Sequence, residues 1–230
     1  MISMIQDGLV IPDKSPKDII DGSFNKIDLV QLASAVKRGY VLADQIMHDS
    51  NSIAKWLSFG RGDKYLFSRI KQIGVEAELC RMIENGILNY DYYFKYNERG
   101  NYSYLIIKKP DLFHMTVNQC HNLRHPARKS QYRKKENTNF QTSFILSDDE
   151  LVYNNKPVHD EYLELNHGYH SKLPTFIGLG IPMVNENKWA FKVNLQSSLG
   201  TLSQLKFHTE ASGPDPLTPD EFASYQEQRK

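Results

Sequence analysis

Eight cations crowd one stretch of this chain: Lys108, Lys109, Arg124, Arg128, Lys129, Arg133, Lys134 and Lys135, opposed between positions 108 and 135 by Asp111 alone. The stretch carries a net +7 in a 230-residue chain whose total is +1, so the remaining residues sum to −6. Cations gathered in this way neutralise phosphates, and the polyelectrolyte they suit best is DNA or RNA. Aromatic rings, which stack on bases, stand immediately upstream as Tyr90, Tyr92, Tyr93, Phe94, Tyr96, Tyr102 and Tyr104. The competing expectation is a solvated charge run, because Lys and Arg are common on any surface.

A second set of residues has the chemistry of acid–base catalysis. His159 and Asp160 precede His167 and His170 in a turn-rich region where Gly168 permits a tight turn. Imidazoles titrate near neutrality and loops carry function disproportionately, so these four are the candidate catalytic residues of a nuclease. A third set, His114, Cys120, His121 and His125, has zinc-ligand chemistry. Four ligands from one short element rarely converge, so no metal site is expected there. Acidic residues Glu76, Glu78, Asp91 and Glu98 with Lys108 are the types found in a magnesium-dependent nuclease. Glu76 and Glu78 are two apart on a helix and do not share a face, so at most one enters any common site. There is no Walker loop, dinucleotide-binding glycine fingerprint, His-Glu-x-x-His or Gly-x-Ser-x-Gly, so no motif names a reaction or a cofactor.

The elements that must position these groups follow from periodicity. Ser15-Pro-Lys-Asp18 is a helix start, and Leu29, Leu32, Ala33, Val36, Tyr40, Ala43 and Met47 recur at helical spacing. Gly39 weakens that helix and admits a break. Residues 42–57 resemble a helix-turn-helix at the core positions Ala43, Ile46, Ile53 and Trp56, although Met47 and His48 stand where a turn glycine is usual. That reading would turn Ser50, Asn51, Ser52 and Lys55 towards a DNA groove; the plainer one is two core helices joined by a loop. A further helix runs through Leu66, Ile70, Ile73, Ala77 and Cys80 to Gly86. Residues 89–107 read as a hairpin with Asn97-Glu-Arg-Gly100 at its tip, its rings packing on the helices and Tyr93 or Tyr102 left at the rim for bases. Pro110-Asp111 is expected to open a helix through Leu112 to Leu123. Strands follow at 140–146, 150–153, 162–165, 175–179 and 189–195, the fourth limited by Gly178, Gly180 and Pro182 to an edge, a bulge or a short strand. Thr218-Pro-Asp-Glu221 can start a terminal helix.

Helices first and strands later predict an α+β protein, with N-terminal helices packed on a mainly antiparallel β-sheet. The expected organisation is an N-terminal extension (1–25), a single α+β domain (26–208) and a flexible C-terminal tail (209–230). Two cysteines make no disulfide framework, the first ten residues lack a signal-peptide pattern and no run of about 18 apolar residues occurs. A cytoplasmic protein with no membrane span is expected. Its expected function is nucleic-acid interaction, of a bacterial or phage accessory or regulatory type, through the basic strip; the alternatives are a nuclease or ribonuclease-type toxin using the histidine-rich loop, and a protein-interaction module with an acidic partner.

Overall fold

The computed structural model describes residues 5–6, 9–10, 15–48, 62–128, 130–140, 145–146, 151–152, 160–183, 186–196 and 217–228. Helix α1 (Pro16–Ser23) opens on a capping box in which Ser15 and Asp18 bond each other's backbone N–H. Helix α2 (Lys26–His48) starts with the same device: Asp28 N–H donates to Asn25 Oδ1 at 2.8 Å, and Asn25 N–H to Asp28 Oδ2 at 3.3 Å. It runs unbroken through Gly39. That glycine marks the crossing with α3 (Gly62–Glu84), where a Cβ on Gly39 would meet the backbone of Gly74 and Val75. Two glycines thus let two helix backbones touch, which offsets the roughly 1 kcal/mol each loses in propensity. Helix α3 ends at Gly86, whose φ of 69° is the left-handed stop that glycine adopts without strain.

Six strands form the main sheet: β1 (Asp91–Tyr96), β2 (Ser103–Lys109), β3 (Phe113–Cys120), β4 (Glu161–Gly168), β5 (Ile177–Pro182) and β6 (Trp189–Asn194). They lie side by side in chain order, antiparallel except for the central β3–β4 pair, which is parallel. The sheet is therefore two antiparallel meanders joined at a parallel seam. Helix α4 (Gln131–Phe140) lies in the connection that crosses between them, and α5 (Pro219–Glu227) is capped by Thr218 and Glu221. Two short pairings, Ile5–Gln6 with Leu9–Val10 and Ile145–Leu146 with Leu151–Val152, stand outside the sheet. The architecture is α+β, with the N-terminal helices on a mostly antiparallel sheet. No helix among the described residues is long and apolar enough to cross a membrane.

Phe113–Cys120 is a strand where the sequence predicts a helix. Phe113, Met115 and Val117 face α2 and α3, while His114, Thr116, Asn118 and Cys120 face the other way, and nearly all are buried. Burial on both faces hid the alternation that normally reveals a strand. The core lies between sheet and helices, with Leu32, Val36, Val75 and Leu79 against Leu105, Ile107, Met115, Leu163, Leu165 and Leu179. Phe24 stacks on Phe113 at 4.6 Å between ring centres, and Tyr90 meets Phe113 edge-on at 5.1 Å. Strand β5 is second from the edge, and its glycines make room for neighbours: a Cβ on Gly180 would strike the Trp189 ring, and one on Gly178 would strike Leu123. The aromatic rows of the hairpin lie on opposite faces of the sheet. Tyr92 packs against the core on the helix side, whereas Tyr104 pairs with Lys95 on the far side, under α4.

Candidate nucleic-acid interface

The face of the sheet away from α2 and α3 is polar yet covered. Its central row holds His114, Thr116 and Asn118 of β3 and Tyr162, Glu164 and Asn166 of β4, all buried. Such groups must be bonded to one another or to what covers them. Tyr162 Oη and Thr116 Oγ1 are 2.8 Å apart, and Asn118 Nδ2 donates to Asn166 Oδ1 at 3.1 Å. Glu164 Oε2 accepts from Asn166 Nδ2 at 3.0 Å and from the Ala127 backbone N–H at 2.8 Å. Burial raises its carboxyl above the usual range. Glu164 therefore fastens the strip 121–130 to the sheet through a backbone bond, which needs no particular side chain at position 127.

Helix α4 is held by two charged anchors. Glu136, its side chain 1% exposed, accepts from Lys95 Nζ at 2.5 Å and Tyr104 Oη at 3.0 Å, and its second oxygen lies 3.1 Å from His114 Nε2. Burial alone would raise this carboxyl, but the bonds from His114, Lys95 and Tyr104 outweigh it and hold it down at about 2. Arg133 donates from Nη1 to Asn118 Oδ1 at 3.0 Å and to Tyr132 Oη, and from Nε and Nη2 to the Arg128 carbonyl, the Nε bond being 3.0 Å. Four of its five N–H groups are thereby engaged, so this arginine shapes the strip that carries it.

Between the hairpin tip and α4 lies an open groove of about 600 Å³. Four tyrosines line it, Tyr96, Tyr102, Tyr104 and Tyr132, together with the cations Lys95, Arg99 and Lys135. Tyr104 and Tyr132 stack at 4.2 Å, Tyr102 lies 6.2 Å from Tyr132, and Tyr96 is 68% exposed at the rim. Next to the groove the sheet opens. Strands β2 and β3 pair only from Ile106 and Thr116 to Lys109 and Phe113; beyond that register β2 pairs with β1 alone and β3 with β4 alone. Gln72 of α3 fills in from the helix side, its Nε2 donating to the Val117 carbonyl at 3.2 Å.

The cations expected to touch nucleic acid are distributed as follows. Arg124, Arg128 and Lys134 are exposed along the strip. Lys135 is exposed at the groove and 3.0 Å from Glu98, while Arg133 is the strut described above. Lys108 and Lys109 extend from β2 over the rings of Tyr93 and Tyr90, each 5.8 Å from the ring centre. Lys129 lies outside the described residues. Residues 49–61 do too, so the second half of the helix-turn-helix resemblance has no described counterpart, and the first half is the end of α2.

The candidate catalytic residues stand apart from one another. His167 is fully buried on the helix side of β4, its Nδ1 2.9 Å from Tyr40 Oη, which itself donates to the Gly168 carbonyl at 2.5 Å. Since the Tyr40 hydrogen goes to Gly168, His167 carries its proton on Nδ1. Burial, with Lys71 nearby, depresses the imidazole to about 3, so it stays neutral. His170 is exposed and 2.7 Å from His121. Asp160 precedes β4 at the other end of that strand, and His159 lies outside the described residues. The remaining histidines also separate: His114 meets Glu136, and His125 donates to the Asn187 carbonyl at 2.9 Å. Among the described residues no three histidines, cysteines or carboxylates are grouped to hold a metal. Glu78 is fully buried against Arg81 at 2.8 Å and accepts from the Leu217 N–H, tying the entry of α5 to α3; Glu76 points elsewhere, towards Gln72.

Sequence reasoning singled out Tyr102 and the basic strip but passed over Tyr132, Asn118, Glu164 and Gln72. Tyr132 was legible as the aromatic set among the cations of 128–135; the others are defined only by strand pairing. No protein family, curated protein or solved structure matches this chain.

Proposed function

We propose that the protein binds single-stranded nucleic acid in the groove between the β1–β2 hairpin and α4. The observation that carries this reading is the lining of that groove, four tyrosines interleaved with Lys95, Arg99 and Lys135, with Arg128 and Lys134 exposed on the strip beyond it. Bases stack on rings whatever their identity, at about 1–3 kcal/mol each, and cations follow the backbone. Lys95 serves mainly as an anchor for Glu136, so Arg99, Arg128 and Lys134 are the phosphate contacts, with Tyr96 and Tyr102 as stacking platforms.

Fluorescence anisotropy with labelled single-stranded RNA and DNA tests this. Tyr96→Ala should weaken binding about tenfold, the equivalent of one stacked base. An Arg99→Glu, Arg128→Glu, Lys134→Glu triple variant should flatten the slope of log affinity against log salt by about 2, near 0.7 for each phosphate no longer neutralised. Absence of binding, or an affinity indifferent to salt, would refute the reading.

A further inference from the structure

The opening between β2 and β3 brings together groups from both sides of the sheet, which a continuous sheet would keep apart. Tyr102 stands at its mouth. The Arg69 guanidinium of α3 lies 5.9 Å from the Tyr102 ring centre, and the Tyr102 phenol also feels the charges of Glu76 on α3 and Arg133 on α4. Glu76 itself is positioned by Gln72, whose Nε2 donates both to Glu76 Oε1 at 2.7 Å and to the Val117 carbonyl at 3.2 Å. One exposed arginine therefore stands beside the phenol at the groove, and one carboxylate and one fixed arginine lie close enough for their charges to reach that phenol.

We propose that this cluster is an RNA-cleaving centre in which Glu76 is the general base, Arg69 binds the scissile phosphate, Arg133 supplies fixed positive charge and Tyr102 is the general acid. The inference rests on the groove binding RNA. In the step, Glu76 takes the proton of a ribose 2′-OH as O2′ bonds to phosphorus. The P–O5′ bond breaks, and O5′ leaves with the Tyr102 proton. The products are a 2′,3′-cyclic phosphate and a 5′-hydroxyl. Glu76 then loses its proton to water and Tyr102 regains one from water, so no oxidant or other co-reactant enters.

The electrostatics suit these roles. Burial raises the Glu76 carboxyl to about 7, partly opposed by Gln72 and Arg69, so it is both substantially ionised and a competent base at neutral pH. Tyr102 is raised by burial and by Glu76 but lowered by Arg69 and Arg133. Once Glu76 has accepted a proton its charge no longer raises the phenol, and the two arginines are opposed by burial alone. Base and acid are thus coupled through one field, each step favouring the next.

The test uses the full chain with a short labelled RNA, the same sequence with a 2′-O-methyl at each ribose, and the same sequence as DNA, with EDTA present. Cleavage of RNA alone, with 2′,3′-cyclic phosphate ends found by mass spectrometry, is expected. Glu76→Gln should lower the rate about 100-fold or more while leaving anisotropy binding unchanged and the thermal midpoint no lower, since the amide oxygen still accepts from Gln72 and the buried charge is gone. Tyr102→Phe should slow it at least about tenfold. The wild-type rate should climb with pH through a midpoint near 7 to a plateau about one unit higher, and the residual rate of Glu76→Gln should lack that limb. RNA binding without cleavage would overturn this inference and leave the binding reading intact; neither binding nor cleavage would overturn both. Full cleavage by Glu76→Gln, or cleavage of the 2′-O-methyl strand, would also overturn it.

Discussion

Replacing Glu136 by Gln should cost this protein about 2 kcal/mol at neutral pH, and the cost should shrink with acid. The carboxyl titrates at about 2 in the folded chain against 4.5 for an unperturbed Glu. At 1.36 kcal/mol per pH unit the difference corresponds to about 3.4 kcal/mol. Lys95 keeps 43% of its side chain in water, where its pairing is screened, which brings the figure to about 2 kcal/mol. Because the folded value is depressed, the stabilisation is complete above pH 4.5 and is lost as pH falls towards 2. Near pH 3 more than half of it should be gone. Urea denaturation of both proteins at pH 7, 5 and 3, followed by circular dichroism, reads the gap directly, and at pH 7 it should appear as about 4–8 °C in thermal midpoint. Glu136 also holds α4 along the groove, so the variant should bind single strands more weakly at pH 7. A gap that is constant from pH 7 to pH 3, or that widens in acid, would refute the assignment of Glu136 as a charged anchor.

Three further outcomes follow from the same geometry. Gly39→Ala should destabilise by more than about 2 kcal/mol, because its methyl meets the α3 backbone, whereas Gly22→Ala, with open space around it, should be neutral or stabilising by under about 1 kcal/mol; paired urea melts decide. Tyr40→Phe should cost about 1–3 kcal/mol by stranding His167 Nδ1 in the core, the Gly168 carbonyl keeping its bond from the Thr175 N–H, read by the same melts. The His167 imidazole should show no protonation above pH 4 in an NMR titration; a midpoint near 6.5 would show that its burial has been misjudged.

The helices and the hairpin were legible because their information is local: Ser15 and Asp18, the heptad-like run from Leu29 to Tyr40, and the turn at Asn97–Gly100 each specify structure within a few residues. Phe113–Cys120 was misread because a strand buried on both faces need not alternate in polarity: Phe113, Met115 and Val117 keep the period of two, but Leu112, Cys120 and Leu123 add a helical one. The β-branched pair Thr116 and Val117 was the available signal. Glu76 and Glu78 illustrate the opposite case. Helix geometry alone separates them, and the structure sends Glu78 to Arg81 and Glu76 to the opening in the sheet. Nothing local shows that Asn118 meets Asn166, since that pairing needs the parallel seam.

The seam also explains why the basic strip lies where it does. Antiparallel neighbours can be joined by a tight turn, but parallel ones require the chain to return along the sheet's length, over one of its faces. Helices α2 and α3 already cover one face, and the described start of the return, residues 121–128 and 130–140, lies over the other. A return segment over a polar row has to satisfy that row, which Ala127, Arg133 and Glu136 do through Glu164, Asn118 and His114. With these inward bonds made, Arg124, Arg128, Lys134 and Lys135 of the segment are exposed, Lys135 in the groove with Tyr102 and Tyr104. The concentration of charge outside and the buried polar network inside are thus two faces of one crossover, so mutations that loosen Glu164 or Glu136 should disturb nucleic-acid binding without touching a single exposed cation.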